Sequence, residues 1–228
     1  MTSKRDDARD GAGQRAGSDR GKDLDGQADD SAIQPDQRPR SLNACRRCGL
    51  WRNATQPVPG AGLARATIML VGEQPGDKED LAGEPFVGPA GALLDKAIAQ
   101  AGLSRNAVYV TNAVKHFKWE LRGKRRMHKS PAQAEIAACS YWLEKELASI
   151  QPQVIVALGA TALGAVLQGG KRSLRESLGQ VFKRGDTHVV ASYHPSYALR
   201  SPDPQSRLAA FETIVDALAT ARKLAGEA

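Results

Sequence analysis

Ile68-Met69-Leu70-Val71-Gly72-Glu73-Gln74-Pro75-Gly76-Asp77 is the stretch on which the reading of the fold turns. Four consecutive apolar residues are too few for a helix and do not alternate, as expected of a short strand buried on both faces. Gly72, Pro75 and Gly76 then make a tight turn that presents Glu73, Gln74 and Asp77 at the strand's end. No Gly-Lys-Ser/Thr follows, so the turn is not a P-loop. Taken alone, it reads equally as a plain strand-to-helix connection with incidental acids.

Similar apolar runs recur at Val108 to Val114, Val154 to Leu158 and His188 to Ser192. Between them the spacing is helical: Ala90 to Ala101 through Leu93, Leu94, Ala97 and Ile98, and Pro131 to Ile150 through Ile136, Cys139, Leu143, Leu147 and Ile150. A small-residue helix runs through Leu163 and Leu167, and Ser206 to Ala225 closes the chain as another. This alternation predicts an α/β fold, a single three-layer domain with a central, mostly parallel four-stranded sheet flanked by helices. Residues 1–40 are rich in Gly, Asp, Arg, Ser and Gln and nearly devoid of large apolar side chains, so they are expected to form a disordered tail ahead of a domain over 41–228.

The net charge of +7 is unevenly placed. Residues 1–40 carry eight basic and nine acidic side chains, which leaves 24 basic and 16 acidic, near +8, for the remainder. That balance favours a polyanionic partner such as nucleic acid. No apolar run approaches the length of a membrane span and no apolar leader opens the chain, so a soluble, cytoplasmic protein with no membrane partner is expected. The three cysteines include Cys45-Arg46-Arg47-Cys48, a spacing that suits a metal or cluster better than a disulfide framework. Cys139 alone reads as a buried helical cysteine; with His116 it would complete a set of four that fits zinc or a four-iron cluster.

A second stretch, Gly123-Lys124-Arg125-Arg126-Met127-His128-Lys129-Ser130-Pro131, packs four cations and a histidine between a strand and a helix expected to start at Pro131 with Ser130 as its cap. The cations could hold a phosphate backbone and the histidine could act as base or nucleophile, although a solvated basic loop explains the composition as well. Phe86, among the glycines of Gly83 to Gly91, could stack a flat base, and Asn112 could read a carbonyl and an N–H of a pyrimidine. Tyr193-His194-Pro195-Ser196 leaves the last strand in the same manner. Polar loops at the ends of several parallel strands would converge.

Gly72 to Gly76 with Lys78-Glu79-Asp80, Pro85-Phe86-Val87-Gly88-Pro89-Ala90-Gly91, Thr111-Asn112 and His194-Pro195-Ser196 resemble, in order and spacing, the motifs of the uracil-DNA glycosylase superfamily on its iron–sulfur, type 4 branch. The resemblance runs from about Cys45 to the end. Three features are unlike ordinary type 4 enzymes: His116 where a cysteine is usual, Gln74 where Ala is usual, and the inserted Lys124 to His128 loop. All three resemble the UdgX group, whose members excise uracil and then become covalently attached to DNA through the loop histidine; Met127 replaces that group's usual Ile.

The resemblance implies a monomer acting on uracil-containing DNA, single strands included, with a [4Fe-4S] cluster on Cys45, Cys48, His116 and Cys139. It implies catalytic roles for His128 as nucleophile, Glu73 as its carboxylate partner and His194 as donor to the departing base. Gln74, Asp77, Phe86 and Asn112 would line the substrate, and Lys124, Arg125, Arg126, Lys129 and Ser196 would meet the DNA backbone. A conventional hydrolytic glycosylase and a non-catalytic nucleic-acid-binding module with structural zinc are the alternatives.

Overall fold

The structure, a computed structural model, describes residues 33–168 and 172–226. Its central strands are the apolar runs. β2 (Ile68–Gly72) and β6 (Val154–Leu158) are buried at every position, which is why neither alternates in sequence. β3 (Tyr109–Asn112) and β8 (Thr187–Ser192) flank them, and all four run parallel in the order β3-β2-β6-β8. Helices α2 (Pro89–Gln100) and α7 (Pro204–Leu224) cover one face through Leu94, Ile98, Ile214 and Leu218. Helices α3 (Gln133–Ile150) and α4 (Ala160–Leu167) cover the other through Leu143, Ile150, Leu163 and Val166. Shorter helices α1 (Asp77–Ala82), α5 (Leu174–Ser177) and α6 (Pro195–Arg200) complete the layers.

The predicted four strands form the parallel heart of a sheet that has six strands among the described residues. β1 (Ala61–Gly62) and β7 (Val181–Arg184) add antiparallel edges. Neither could be read as an apolar run: β1 has two residues, and β7 alternates between exposed and half-buried positions. No helix among the described residues is long and apolar enough to cross a membrane.

Three expectations are corrected. The basic stretch is a β-hairpin, not an irregular loop: β4 (Trp119–Arg122) pairs antiparallel with β5 (Arg125–His128). Gly123, at φ 63°, supplies the left-handed backbone that its two-residue turn requires. The helix after it starts at Gln133 rather than Pro131, because Glu135 Oε2 accepts the Ala132 N–H (2.6 Å) and makes Ala132, not Ser130, the cap. Residues 33–40, assigned to the tail, are fastened to the domain. Gln34 N–H donates to Arg46 O (2.7 Å), Gln37 Oε1 accepts the Arg46 N–H (2.7 Å), and Pro39 is buried. The rest of that expected tail, residues 1–32, lies outside the described residues.

One buried polar cluster ties the layers together. Lys115, with no exposed side chain, places Nζ 2.6 Å from Glu146 Oε2 on α3, 2.5 Å from Thr111 Oγ1 and 2.8 Å from Asn112 O. Glu146 Oε1 also accepts the Gly60 N–H (3.0 Å). Removing one member leaves the other charge buried without a partner. Glu146→Ala should therefore cost about 3 kcal/mol, lowering Tm by roughly 6–12 °C in a thermal melt.

Candidate active site

The site is assembled where β2, β3, β6 and β8 end. In the β2–β3 ladder Gly72 stands beside Asn112. A Cβ at Gly72 would overlap Asn112 Oδ1 and the Phe86 ring, so glycine there makes the room that both side chains occupy. Asn112 is buried, and neither Oδ1 nor Nδ2 has a hydrogen-bond partner. A buried primary amide left unpaired is costly, and its donor and acceptor form a complementary edge for a ligand.

Phe86 is buried and holds φ 60°, a left-handed conformation that is strained for a residue with a Cβ. Glu79 imposes it. Glu79 Oε1 accepts the Phe86 N–H (2.6 Å) and Oε2 accepts the Gly76 N–H; burial raises the Glu79 pKa, and these two backbone donors oppose the rise. The Phe86 ring lies 6.0 Å from the His194 ring at 28°, one flat surface beside another. Burial pushes His194 down to about 4, with the charges of Arg200 and His128 acting in the same direction, so the imidazole is neutral at physiological pH. Its Nδ1 accepts the Ser196 N–H (3.2 Å) and lies 2.8 Å from Ser196 Oγ. That fixes the tautomer with the proton on Nε2, a donor for a nearby oxygen.

The hairpin brings His128 to the same edge. His128 Nε2 lies 3.3 Å from Glu73 Oε1, and its ring centroid lies 6.2 Å from that of Phe117. Burial lowers the His128 pKa, Glu73 opposes the shift and Arg200 adds to it; the ring is therefore neutral near pH 7. Gln74, which the resemblance set against the substrate, has its amide engaged within the protein instead. It is buried, and Nε2 donates to Lys118 O (3.1 Å) and Lys129 O (3.0 Å) while Oε1 accepts the Lys118 N–H (3.1 Å), clasping both ends of the hairpin.

Arg126 and Asp77 are likewise engaged with each other, Asp77 with about half of its side chain open to solvent. Arg126 Nε lies 2.6 Å from Asp77 Oδ1, and Nη1 lies 2.7 Å from Oδ2 of the fully buried Asp80. Arg126 also stacks over Phe117 and Trp119, so it pins the hairpin to α1. Lys124 and Arg125 are exposed at the tip. Lys129 pairs with Glu120 (2.8 Å) in an exposed contact that a phosphate could replace.

The four expected cluster residues come from three segments. Cys45 and Cys48 flank short 3₁₀ turns at Leu42–Ala44 and Gly49–Arg52, His116 follows β3, and Cys139 projects from α3. Cys45, Cys139 and His116 are buried and Cys48 is half-buried. Burial pushes Cys139 up to about 12 and also raises Cys48; the nearby Cys45 sulfur adds to both shifts, and Cys48 adds to that of Cys139. Burial holds His116 neutral, at about 4. Among the described residues no three His, Cys, Asp or Glu side chains converge tightly enough for one metal ion. The ligands of a four-iron cluster bind different irons and stand further apart than those of one ion; two buried thiols, a half-buried one and a neutral imidazole are donor types that such a cluster takes.

Several working residues escaped the sequence. Arg200 acts on both histidines, Glu79 holds Phe86, and Thr161 touches Glu73. Arg200 and Thr161 sit in no chemically telling pattern, and Glu79, although inside the Lys78-Glu79-Asp80 motif, shows no role there; their parts come from tertiary contacts.

Comparison with known proteins defines the class. Residues 59–219 match the Uracil DNA glycosylase superfamily, and the chain belongs to that family. Among its relatives is the type-4 uracil-DNA glycosylase of Thermotoga maritima, 37% identical over 80% of this chain and 92% of that one. The type-4 enzymes of Saccharolobus solfataricus and Archaeoglobus fulgidus are 36% and 37% identical over 71% and 72% of this chain, and 75% and 82% of theirs.

Gly72→Ala should push the Asn112 amide and the Phe86 ring aside. Misplacing reacting groups by about 1 Å costs about a hundredfold, so uracil release from an oligonucleotide should fall by about that factor while the far-ultraviolet circular dichroism is unchanged.

Proposed function

We propose that this protein excises uracil from DNA and is then held covalently on the abasic sugar through His128. The observation that carries the trapping step is the His128 imidazole set 3.3 Å from the Glu73 carboxylate, where a hydrolytic enzyme would keep its attacking water. Excision itself is supported by the family and by the unpaired Asn112 amide.

The target nucleotide leaves the stack, or is already single-stranded, before the site can reach its glycosidic bond. Phe86 stacks the base, and Asn112 donates to one carbonyl and accepts the ring N–H, an edge that uracil offers and cytosine lacks. As the C1′–N1 bond breaks, its electron pair leaves with uracil. The Nε2–H of neutral His194 donates to the oxygen that gains the charge. His128 forms the bond to C1′ through its unprotonated ring nitrogen, and the N–H proton of the imidazolium so formed passes from Nε2 to Glu73, which returns it to the departing uracil anion or to water. Lys124, Arg125, Lys129 and Ser196 hold the flanking phosphates. The N–C1′ bond has no ready route of hydrolysis, so one protein is consumed per uracil. Cys45, Cys48, His116 and Cys139 would hold a [4Fe-4S] cluster whose part is to staple the N-terminal segment and α3 to the sheet. Iron and acid-labile sulfide should each analyse at about four per chain in protein purified without oxygen, whereas zinc in their place would remove the cluster from this reading.

The test is an end-labelled single-stranded oligonucleotide with one uracil, mixed with the protein and run on a denaturing gel. A heat- and detergent-resistant adduct, stoichiometric with protein and lost in His128→Ala, is expected. Abasic DNA in excess over protein would instead assign conventional hydrolytic turnover, with the hairpin as a phosphate clamp. Because only neutral imidazole attacks and burial lowers the His128 pKa from its ordinary value, adduct formation should be level from neutral pH upward and fall as His128 protonates in more acidic buffer.

A further inference from the structure

The Glu73 carboxylate has two oxygens with different partners, and only one of them faces His128. Oε1 lies 3.3 Å from His128 Nε2; Oε2 accepts a hydrogen bond from the Thr161 hydroxyl at 2.5 Å. Thr161 belongs to the first turn of α4, 88 residues further along the chain, and reaches Glu73 because β2 and β6 are adjacent and parallel with Val71 beside Ala157. The two chain segments therefore leave the sheet at the same edge and level. From that register, we infer that Thr161 is a positioning residue for the reaction. Its hydroxyl fixes the rotation of the Glu73 carboxylate, so that one oxygen is always presented to the imidazole.

A free glutamate side chain samples several rotamers, and the pair with His128 alone, at 3.3 Å with His128 48% exposed, is too loose to select one. A 2.5 Å bond from a hydroxyl to a carboxylate is a charge-assisted contact of the stronger class. The N-terminus of α4 adds a favourable potential, since the unpaired backbone N–H groups of its first turn carry partial positive charge next to the carboxylate. Hydroxyl, carboxylate and imidazole thus form a relay in which Thr161 acts only through Glu73. The inference rests on Glu73 and His128 as the working pair.

The experiment compares Thr161→Val, which keeps the shape and loses the donor, with Thr161→Ser, which keeps the donor and loses the methyl. Each variant, in excess over a labelled single-uracil oligonucleotide, is followed for adduct formation across a series of protein concentrations. Thr161→Val should lower the limiting rate constant about tenfold, the loss of one hydrogen bond to a charged group. The half-saturating concentration should stay that of the wild type, and Thr161→Ser should restore most of the rate. A residue that merely supported the fold would move the half-saturating concentration and the melting temperature together, and serine would not selectively recover the rate. An unchanged rate in Thr161→Val, or a serine variant as slow as the valine one, overturns the inference. Should valine prevent folding, Thr161→Ala is read against Thr161→Ser in the same way. If the wild type releases free abasic DNA instead of forming an adduct, covalent trapping fails, and the same limiting rate is measured on uracil release. A serine-rescued loss there keeps Thr161 as the residue that orients Glu73, and an unchanged rate removes it.

Discussion

Gly72 and Asn112 stand side by side in the ladder between β2 and β3, and this pairing sets where the other groups of the site can sit. The missing side chain at Gly72 is the space into which the Asn112 amide and the Phe86 ring project. Because the neighbouring strands β6 and β8 run the same way, Thr161 and His194 emerge at the same edge, close enough to meet Glu73 and Phe86 respectively. A parallel sheet delivers all its strand exits to one side, and ligands gather there for that reason. Here the edge carries both the unpaired amide and the neutral His194 imidazole.

The hairpin, unlike the strand exits, is not built by the central sheet. It is held instead from inside, by the Gln74 amide at its base and by Arg126 reaching Asp77 and Asp80. Asp80 also accepts the Thr55 N–H through both oxygens, at 3.0 and 3.1 Å. Such a buried carboxylate is tolerable only while its donors and its cation remain in place. The hairpin is therefore docked in one register, although much of its surface is exposed, and His128 inherits that precision. The left-handed Phe86 and the unpaired Asn112 lie side by side at the site, and the surrounding core holds both in position.

What could be read in the sequence follows from this division. The four apolar runs and the intervening helical periods were legible because burial on both faces leaves no other pattern, and the polar turns that follow them announced Glu73, Asn112 and His194. The edge strands were not legible, because β7 is half solvated and β1 is two residues long. The hairpin was missed because four basic residues mask its alternation, with Gly123 as the sole turn signal. Gln74, Asp77 and Arg126 were recognised as important, but their contacts within the protein were not foreseen: side-chain type alone cannot distinguish a group that meets substrate from one that fixes its neighbour. Thr161 and Arg200 carry no local signal, since a threonine in the first turn of a helix and an arginine in the last turn of another are ordinary caps for the backbone dipole.

The proton inventory of the site narrows the chemistry further. His128 and His194 are both kept neutral chiefly by burial, and Arg200 disfavours protonation of each. Gln74 has no basic lone pair to offer, and its amide is taken up by the hairpin. Asp77 faces Arg126, which leaves Glu73 as the carboxylate directed at His128. One base then serves either a water or the imidazole, and it cannot serve both, since Oε2 is already committed to Thr161. Under the proposed reading, occupancy of Oε1 by His128 excludes the water, so trapping and turnover compete for a single oxygen atom. The hairpin anchors that place His128 there, Gln74 and Arg126, would on this argument decide the outcome without touching the base.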